Sequence, residues 1–183
     1  KTVVPEEKKV YLAFNKPRGI VCTAEKREKN NVIDYLSYPV RIYPVGRLDK
    51  DSEGLLLMTN DGAIVNGIMR ARNRHEKEYQ VEVNKETTPE FLKKMASGVP
   101  ILDTVTRPCR IQKTGERSFT IILTQGLNRQ IRRMCEALGY RVTKLKRVRI
   151  MNIHLKDLKT GEYRPLTEKE LAELKKQIGE EKR

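Results

Sequence analysis

The sequence predicts an α+β fold in which a mixed, largely antiparallel central sheet is flanked by helices. Three observations lead to this prediction. Strand-like and helix-like segments interleave along the 183 residues, as expected when helices pack on a mixed sheet. Hairpin patterns are frequent, which favours antiparallel over parallel pairing. The length suits one domain, or one domain with two lobes, that is large enough to bury a core.

The predicted strands are short apolar or alternating runs that turn-forming residues interrupt. The first covers residues 10–14 and is stopped by the run Asn15-Lys16-Pro17-Arg18-Gly19. Residues 110–113 and 119–124 form a predicted hairpin around Thr114-Gly115-Glu116. Further strands are predicted at residues 41–45, 55–59, 79–83, 142–145 and 149–155.

Helices are predicted where apolar residues recur at helical spacing behind a capping residue. A short helix covers residues 32–36, and a second runs through residues 64–69 with Asn60 or Asp61 as its cap. In a capping box, two side chains each bond the other residue's backbone N–H. Capping boxes are predicted for Thr87 with Glu90 and for Thr167 with Glu170.

The best-defined helix covers residues 129–138, with Asn128 as its cap and Gly139 at its end. The opposite side from its apolar stripe carries Arg129, Arg132 and Arg133. Like charges at helical spacing repel one another, so an anionic partner such as phosphate is one explanation and a solvated basic face is the other. The apolar stripe consists of Ile131, Met134, Cys135 and Leu138.

The charge balance points to nucleic acid as the partner. The chain has 38 Lys and Arg against 24 Asp and Glu, a net charge of +14. Basic residues that neutralise phosphates release counterions and so contribute affinity. An anionic membrane surface is the competing partner, but we expect no membrane association, because the sequence has neither a span of about 18 apolar residues nor a basic amphipathic helix.

The cysteine and histidine content favours neither disulfides nor a metal site. Three widely spaced cysteines and two histidines give no metal-ligand spacing, so we expect no metal, a reducing compartment and a cytoplasmic protein.

We divide the chain into a linker remnant at residues 1–9, a catalytic domain at 10–178 and a polar tail at 179–183. The chain begins with Lys1 rather than Met, and whether an upstream domain has been removed stays open at the level of sequence.

The segment Gly46 to Leu57 carries the most chemical information. It sets Asp49 between a basic residue and a turn that leads directly into an apolar strand. A carboxylate fixed at the edge of a sheet can act as a nucleophile, although a solvated loop acid or a helix cap is the commoner role of an aspartate. We interpret Asp51 as a residue that shapes the loop.

Four motifs follow one another along the chain: Asn15 to Gly19, Gly46 to Asp49, Lys77 to Tyr79 and Asn128 to Met134. In this order they resemble the pseudouridine synthases, in particular the branch that modifies ribosomal RNA through a Gly-Arg-Leu-Asp sequence. The resemblance covers residues 10–174 and, within the branch, is strongest to the large-subunit synthases of the F type, with the B, E and small-subunit types as alternatives. F-type members carry an N-terminal S4-like RNA-binding domain that this sequence lacks.

The resemblance implies a pseudouridine synthase fold with a basic active-site cleft, which converts a uridine of 23S ribosomal RNA, or of transfer RNA, without a cofactor. It implies that Asp49 is the catalytic acid, that the Arg132 guanidinium is forked onto it, and that Tyr79 lies against the flipped base. An ordinary core position is the alternative for Tyr79. The implied RNA-binding residues are Lys16, Arg18, Arg47, Lys77, Asn128, Arg129 and Arg133.

Several alternatives stay open at the level of sequence. Asp49 could attack the sugar C1′, attack the base C6, or act as a base in a route through a glycal. A non-catalytic ribosomal or assembly-related RNA-binding protein would account for the charge but would give Asp49 no task. A glycosidase or nuclease is a further rival, although it would need a second carboxylate placed to activate water. We expect a monomer, because no pattern suggests a dimer interface.

Overall fold

The computed structural model describes residues 8–180. Within this range the chain forms one large mixed sheet, a two-stranded ribbon and five helices. The α+β prediction is confirmed. Of the segments predicted at the ends, residues 1–7 and 181–183 lie outside the described range, while Gly179 and Glu180 belong to the last helix rather than to a tail.

The strands pair mainly with antiparallel neighbours. In chain order they are β1 (Tyr11–Lys16), β2 (Tyr43–Pro44), β3 (Glu53–Thr59), β4 (Lys77–Val83), β5 (Pro100–Ile101), β6 (Thr104–Val105), β7 (Arg110–Gly115), β8 (Ser118–Leu123), β9 (Val142–Ile150), β10 (Ile153–His154) and β11 (Tyr163–Pro165). The main sheet has the order β11-β1-β3-β9-β4-β8-β7, with β2 paired to β3 and β10 to β9. β5 and β6 form the separate ribbon.

The five helices are α1 (Val32–Leu36), α2 (Gly62–Arg70), α3 (Pro89–Ser97), α4 (Gln130–Ala137) and α5 (Glu168–Glu180). Asp61 caps α2 by accepting from the backbone N–H groups of its first turn, as predicted. The capping box of Thr167 and Glu170 is also present, since each side chain bonds the other residue's N–H at 2.9 and 3.1 Å.

Two predicted caps are wrong. The side chain of Thr88, not Thr87, caps α3 by accepting from the Phe91 N–H at 3.1 Å. Thr87 is buried, and its hydroxyl instead donates to carbonyls in the β7–β8 turn. At α4 the cap position belongs to Arg129 in a left-handed conformation, without a side-chain hydrogen bond, and the predicted cap Asn128 lies outside it.

Three hydrophobic clusters hold the helices on the sheet. The first joins α3 and α4 to β4, β8 and β9, and the second joins α2 and α5 to β1, β3 and β9. The third lies under α1 and uses the alternate residues Leu12, Phe14, Leu56 and Met58 of β1 and β3. Each fully buried Leu, Ile or Phe contributes about 1.5–3 kcal/mol to stability. The alternation along each strand therefore selects which face receives which helix.

One parallel contact joins β3 to β9 and brings the loop before β3 next to β9. Only two residue pairs are in register there, Glu53 with Lys146 and Gly54 with Arg147. A Cβ atom on Gly54 would lie 2.2 Å from the Arg147 carbonyl oxygen, and Gly54 has φ +108°. Glycine is required because both the close approach and the backbone angle exclude a side chain.

Across residues 8–180, none of the helices has the length and apolar character needed to cross a membrane.

Candidate active site

Asp49 lies on a tight loop between β2 and β3. The turn is closed by a hydrogen bond from the Ser52 N–H to the Asp49 carbonyl oxygen at 3.0 Å, and the neighbouring Leu48 side chain is buried. Gly46 starts the loop with φ +75°, a backbone angle that glycine adopts without strain. The Asp49 side chain is 36% exposed, so it is accessible from the surface rather than sealed in the core.

A cleft with a volume of about 540 Å³ runs over β4 and β9 between α2 and α4. Asp49 and Tyr79 both line it, together with the apolar side chains of Leu123, Leu145 and Ile150. Ligand sites for small molecules commonly have 300–1,000 Å³ and a largely apolar lining with a few polar groups. The cleft is therefore large enough for a nucleoside that is enclosed next to Asp49.

The guanidinium that contacts Asp49 belongs to Arg129. Its Nη1 lies 3.2 Å from Asp49 Oδ2, while Nη1 and Nη2 together donate to the two carboxylate oxygens of Asp51 at 3.2 and 3.1 Å. Arg129 thus joins the two acids, and its hydrogen bond holds the pKa of the Asp51 carboxyl below its usual value.

Arg132 takes a different position from the one expected. It is buried, and its Nη2 donates to the Asp51 carbonyl oxygen at 3.0 Å and to the Ser52 hydroxyl at 3.2 Å. Its nearest carboxylate oxygen is Asp51 Oδ1 at 3.6 Å. The expected fork from Arg132 onto Asp49 is therefore wrong. Arg132 therefore stabilises the Asp49 loop from the buried side of the loop. Burial lowers the pKa of its guanidinium.

Tyr79 and Lys77 project from β4 into the cleft. Tyr79 is partly buried, and it lines the cleft while also packing against the core cluster of α3 and α4. Lys77 donates to the Arg72 carbonyl oxygen at 2.5 Å, and burial lowers its pKa to about 8. Tyr79 therefore combines the two alternatives raised by the sequence, a core contact and a cleft-facing surface.

Lys16 cannot contact phosphate, contrary to prediction. Its side chain is fully buried, and the ammonium donates to the carbonyl oxygens of Pro17 and Ile20 at 2.9 and 2.8 Å and reaches that of Lys50 at 3.4 Å. Burial lowers its pKa. The ammonium ties the loop after β1 to the loop that carries Asp49, so Lys16 has a structural task next to the site.

The other predicted RNA-binding residues lie at the surface to different degrees. Arg18 and Arg47 are exposed beside Asp49. Asn128 is exposed, and it accepts from the partly buried Arg133 at both its carbonyl and its side-chain oxygen, at 3.0 and 2.9 Å. Arg133 is thus directed towards Asn128 rather than towards the acids.

Arg147 and Arg72 also line the cleft, and the sequence did not single them out. Arg147 is only 7% exposed, and its Nε donates to the Leu55 carbonyl oxygen at 2.9 Å, across the β3–β9 contact. The basic character of residues 129–149 is visible in the sequence. Which member of that run faces the cleft depends on strand register, which the sequence does not display.

Within the described part of the chain, no group of three or more His, Cys, Asp or Glu side chains is placed to hold a metal ion. Cys22, Cys109 and Cys135 are free, and burial raises the pKa of each thiol.

The chain belongs to the RNA pseudouridylate synthase family, whose family model matches residues 10–137. Over 169 residues it is 55% identical to the dual-specificity RNA pseudouridine synthase RluF of Salmonella typhi, covering 92% of this chain and 58% of that protein. The Escherichia coli K12 protein of the same name is 54% identical over the same shares.

More distant relatives agree with this assignment. The ribosomal large subunit pseudouridine synthase B of Bacillus subtilis is 36% identical, with 94% of this chain and 74% of that protein covered. A solved pseudouridylate synthase structure superposes with a TM-score of 0.84 at 30% identity, over 92% of this chain and 75% of the other. The chain spans 58% of the length of the RluF proteins that it matches.

Proposed function

We propose that this chain catalyses the isomerisation of a uridine to pseudouridine in RNA, with Asp49 as the acid that starts the reaction. The observation that carries the proposal is that Asp49, held by Arg129, lines the same nucleoside-sized cleft as Tyr79. Family membership supports the reaction class.

The reaction requires the target base to leave its stack, because its C1′ and C6 atoms are inaccessible within a helix. The uridine enters the cleft, the Tyr79 ring supports the base, and the Asp49 carboxylate engages the nucleoside. The N1–C1′ bond breaks, the uracil rotates, and a C5–C1′ bond forms. The proton on C5 leaves and N1 gains one, so atoms balance without an oxidant, a reductant or a second substrate.

The surrounding cations have separate tasks in this proposal. Arg129 aims the Asp49 carboxylate, and a guanidinium suits this task because its fork of donors is rigid. Arg132 fixes the loop through the Asp51 carbonyl and the Ser52 hydroxyl. Arg18, Arg47 and Lys77 contact the RNA backbone.

For the substrate, we propose 23S ribosomal RNA and, as a second RNA, transfer RNA. The names of the relatives support this choice, since one specifies the large ribosomal subunit and two specify dual specificity. The net charge of +14 supports a polyanionic partner. We further propose that the protein acts as a monomer in the cytoplasm.

Substitution of Asp49 by Asn tests the proposal, because it keeps the shape and removes the carboxylate. Ribosomal and transfer RNA from cells that lack the gene are incubated with the wild type or with Asp49→Asn, and pseudouridine is mapped at each position. We expect conversion by the wild type only, with RNA binding retained by the variant. Conversion by the variant would exclude Asp49 as the reacting acid, and release of free uracil or cut strands would indicate a hydrolase.

A further inference from the structure

A second hollow adjoins the cleft at Asp49. Its volume is about 690 Å³, and its walls are the loop after β1 and the loop that carries Asp49. Leu48, Asp49 and Arg129, together with Arg47, line both the cleft and this second hollow. The reacting acid therefore stands at the boundary between two adjoining concave surfaces.

The second hollow is built by specific contacts rather than by two loops that happen to approach. The Gly19 N–H donates to the Lys50 carbonyl oxygen at 2.7 Å, which joins the two walls directly. The buried Lys16 ammonium bonds carbonyls from both walls. A cation buried under two loops is retained only if its donors are satisfied, so these contacts fix the hollow before any ligand arrives.

Three cations on its walls are available to an anion. Arg18, Arg47 and Lys50 are exposed, and none of them forms an ion pair with another residue in the range 8–180. Two of the three acids in the lining, Asp49 and Asp51, are already bonded to Arg129. Glu28 is the third acid. Cations without carboxylate partners next to a reacting acid are placed to bind a phosphate.

The size of the hollow indicates a ligand larger than phosphate alone. A volume of about 690 Å³ lies within the range of sites that take whole small molecules. Val21, Cys22 and Leu48 supply an apolar part of the lining next to the cations. A nucleotide, with an apolar base face and an anionic phosphate, matches such a mixed surface.

We propose that the second hollow binds the nucleotide that adjoins the target uridine, with Arg18 and Lys50 contacting its phosphate. This inference rests on the proposed function, since the neighbouring nucleotide is defined by the uridine in the cleft. Because adjoining nucleotides are covalently linked, a site that borders Asp49 is filled as the uridine enters. The second hollow then helps to select and to hold the strand on one side of the target.

Phosphate interference combined with substitution tests this proposal. The probe is a stem-loop of the ribosomal RNA that contains the uridine mapped in the Asp49 experiment. In a series of such RNAs, one phosphodiester near the uridine at a time is replaced by an uncharged methylphosphonate. Dissociation constants are measured for the wild type, Arg18→Gln, Lys50→Gln and the control Arg117→Gln. Arg117 is exposed in the β7–β8 turn, at the opposite end of β8 from the cleft residue Leu123.

For the wild type and for Arg117→Gln, we expect neutralisation of a linkage next to the uridine to weaken binding about tenfold, as loss of a charge-assisted hydrogen bond does. For Arg18→Gln or Lys50→Gln, the same neutralisation should have little further effect, because the contact is already lost. An equal penalty in all four proteins would overturn the proposal. If the wild type converts no uridine at all, the proposed function itself fails, which is a separate readout.

Discussion

Arg129 and Arg132 are three positions apart in one motif but have different environments. Arg129 bonds both acids of the loop from a half-exposed position, whereas Arg132 is buried and bonds a backbone carbonyl and a hydroxyl. Arg129 stands at the cap position of α4 with φ +49°, whereas Arg132 lies within the helix. A positive φ is uncommon for a residue other than glycine, and sequence propensities do not predict it.

We expect Arg129→Gln to lower kcat about 10- to 100-fold, because a slightly misplaced reacting group costs rate in this range. KM and the melting temperature should change little, since the side chain is partly exposed. Arg129→Lys should recover only part of the rate, because an ammonium lacks the planar fork. Single-turnover kinetics with the ribosomal stem-loop measure both effects, with Arg117→Gln as the control. A rise in KM at constant kcat would instead indicate a contact to RNA.

Arg132→Ala should destabilise the protein as well as inactivate it. The substitution removes a buried guanidinium and leaves the Asp51 carbonyl and the Ser52 hydroxyl without this donor, which costs about 3 kcal/mol. Urea unfolding measures the free energy, with Arg133→Ala as the matched control on the same helix. Unchanged stability of Arg132→Ala would contradict the role of this residue as a support for the loop.

Lys16 illustrates where residue-level reasoning from sequence stops. A lysine at the end of a strand and before a Pro-x-Gly turn is expected to be solvated, because a buried ammonium is costly. The three carbonyl oxygens that satisfy it come from Pro17, Ile20 and a residue 34 positions away, Lys50. The partners of a buried cation depend on long-range folding, which the sequence motif does not display.

At the scale of elements, local signals predicted those helix ends whose caps depend on a few neighbouring residues. The Asp61 cap and the capping box of Thr167 and Glu170 involve residues within three positions and were predicted correctly. Thr87 and Thr88 are adjacent and chemically alike. The sequence could not show that Thr87 would hydrogen-bond the β7–β8 turn and that Thr88 would cap α3.

Glu170 should confer acid-sensitive stability on α5. Its hydrogen bonds to Arg164 lower its pKa from 4.5 to about 2. Because the folded value is the lower one, this contribution is fully present above pH 4.5 and is lost as the pH falls towards 2. We expect it to amount to about 3 kcal/mol at most. Unfolding free energies measured between pH 2 and pH 6 should show a shallower slope for Glu170→Gln than for the wild type or Glu168→Gln.

Gly54→Ala should prevent normal folding at the β3–β9 contact. The added Cβ would lie 2.2 Å from the Arg147 carbonyl oxygen, and φ +108° disfavours any side chain. The matched control is Gly62→Ala, because a Cβ there meets nothing within 4 Å and the position begins α2. Circular dichroism and melting temperatures should show a severe loss for Gly54→Ala and a near-neutral change for Gly62→Ala. A native-like melting curve for Gly54→Ala would contradict the close approach.

At the scale of the whole molecule, the net charge of +14 predicts that RNA binding depends strongly on salt. The logarithm of the binding constant should fall linearly with the logarithm of the salt concentration, and Arg47→Gln should reduce that slope by about 0.7–0.9. Fluorescence polarisation between 50 and 200 mM salt measures the slope. The control Arg117→Gln should keep the wild-type slope, and an equal change in both variants would show that Arg47 has no special contact.

The overall architecture was largely predictable because alternation and helical spacing show which side of each element is apolar. The pairing register between distant strands was not predictable. Residues 142–145 and 149–155 were expected to form two separate strands, whereas β9 runs without a break from Val142 to Ile150 and β10 has only two residues. The parallel pairing of β3 with β9 also escaped prediction, since it depends on chain segments about 90 residues apart.

That parallel contact has a mechanical consequence. The contact divides the main sheet into one portion made of β11, β1 and β3 and another made of β9, β4, β8 and β7. Asp49 lies on the loop before β3 in the first portion, whereas Tyr79 lies on β4 in the second and Arg129 lies at the start of α4, which packs on the second. Within the main sheet, only two residue pairs and the Arg147 side chain join β3 to β9, while β1 and β3 are joined by six pairs. The second core cluster and the bonds from Arg129 and Arg132 to the Asp49 loop reinforce this seam. The catalytic group and its partners therefore lie on opposite sides of a short join, and we expect activity to be lost as soon as that join opens.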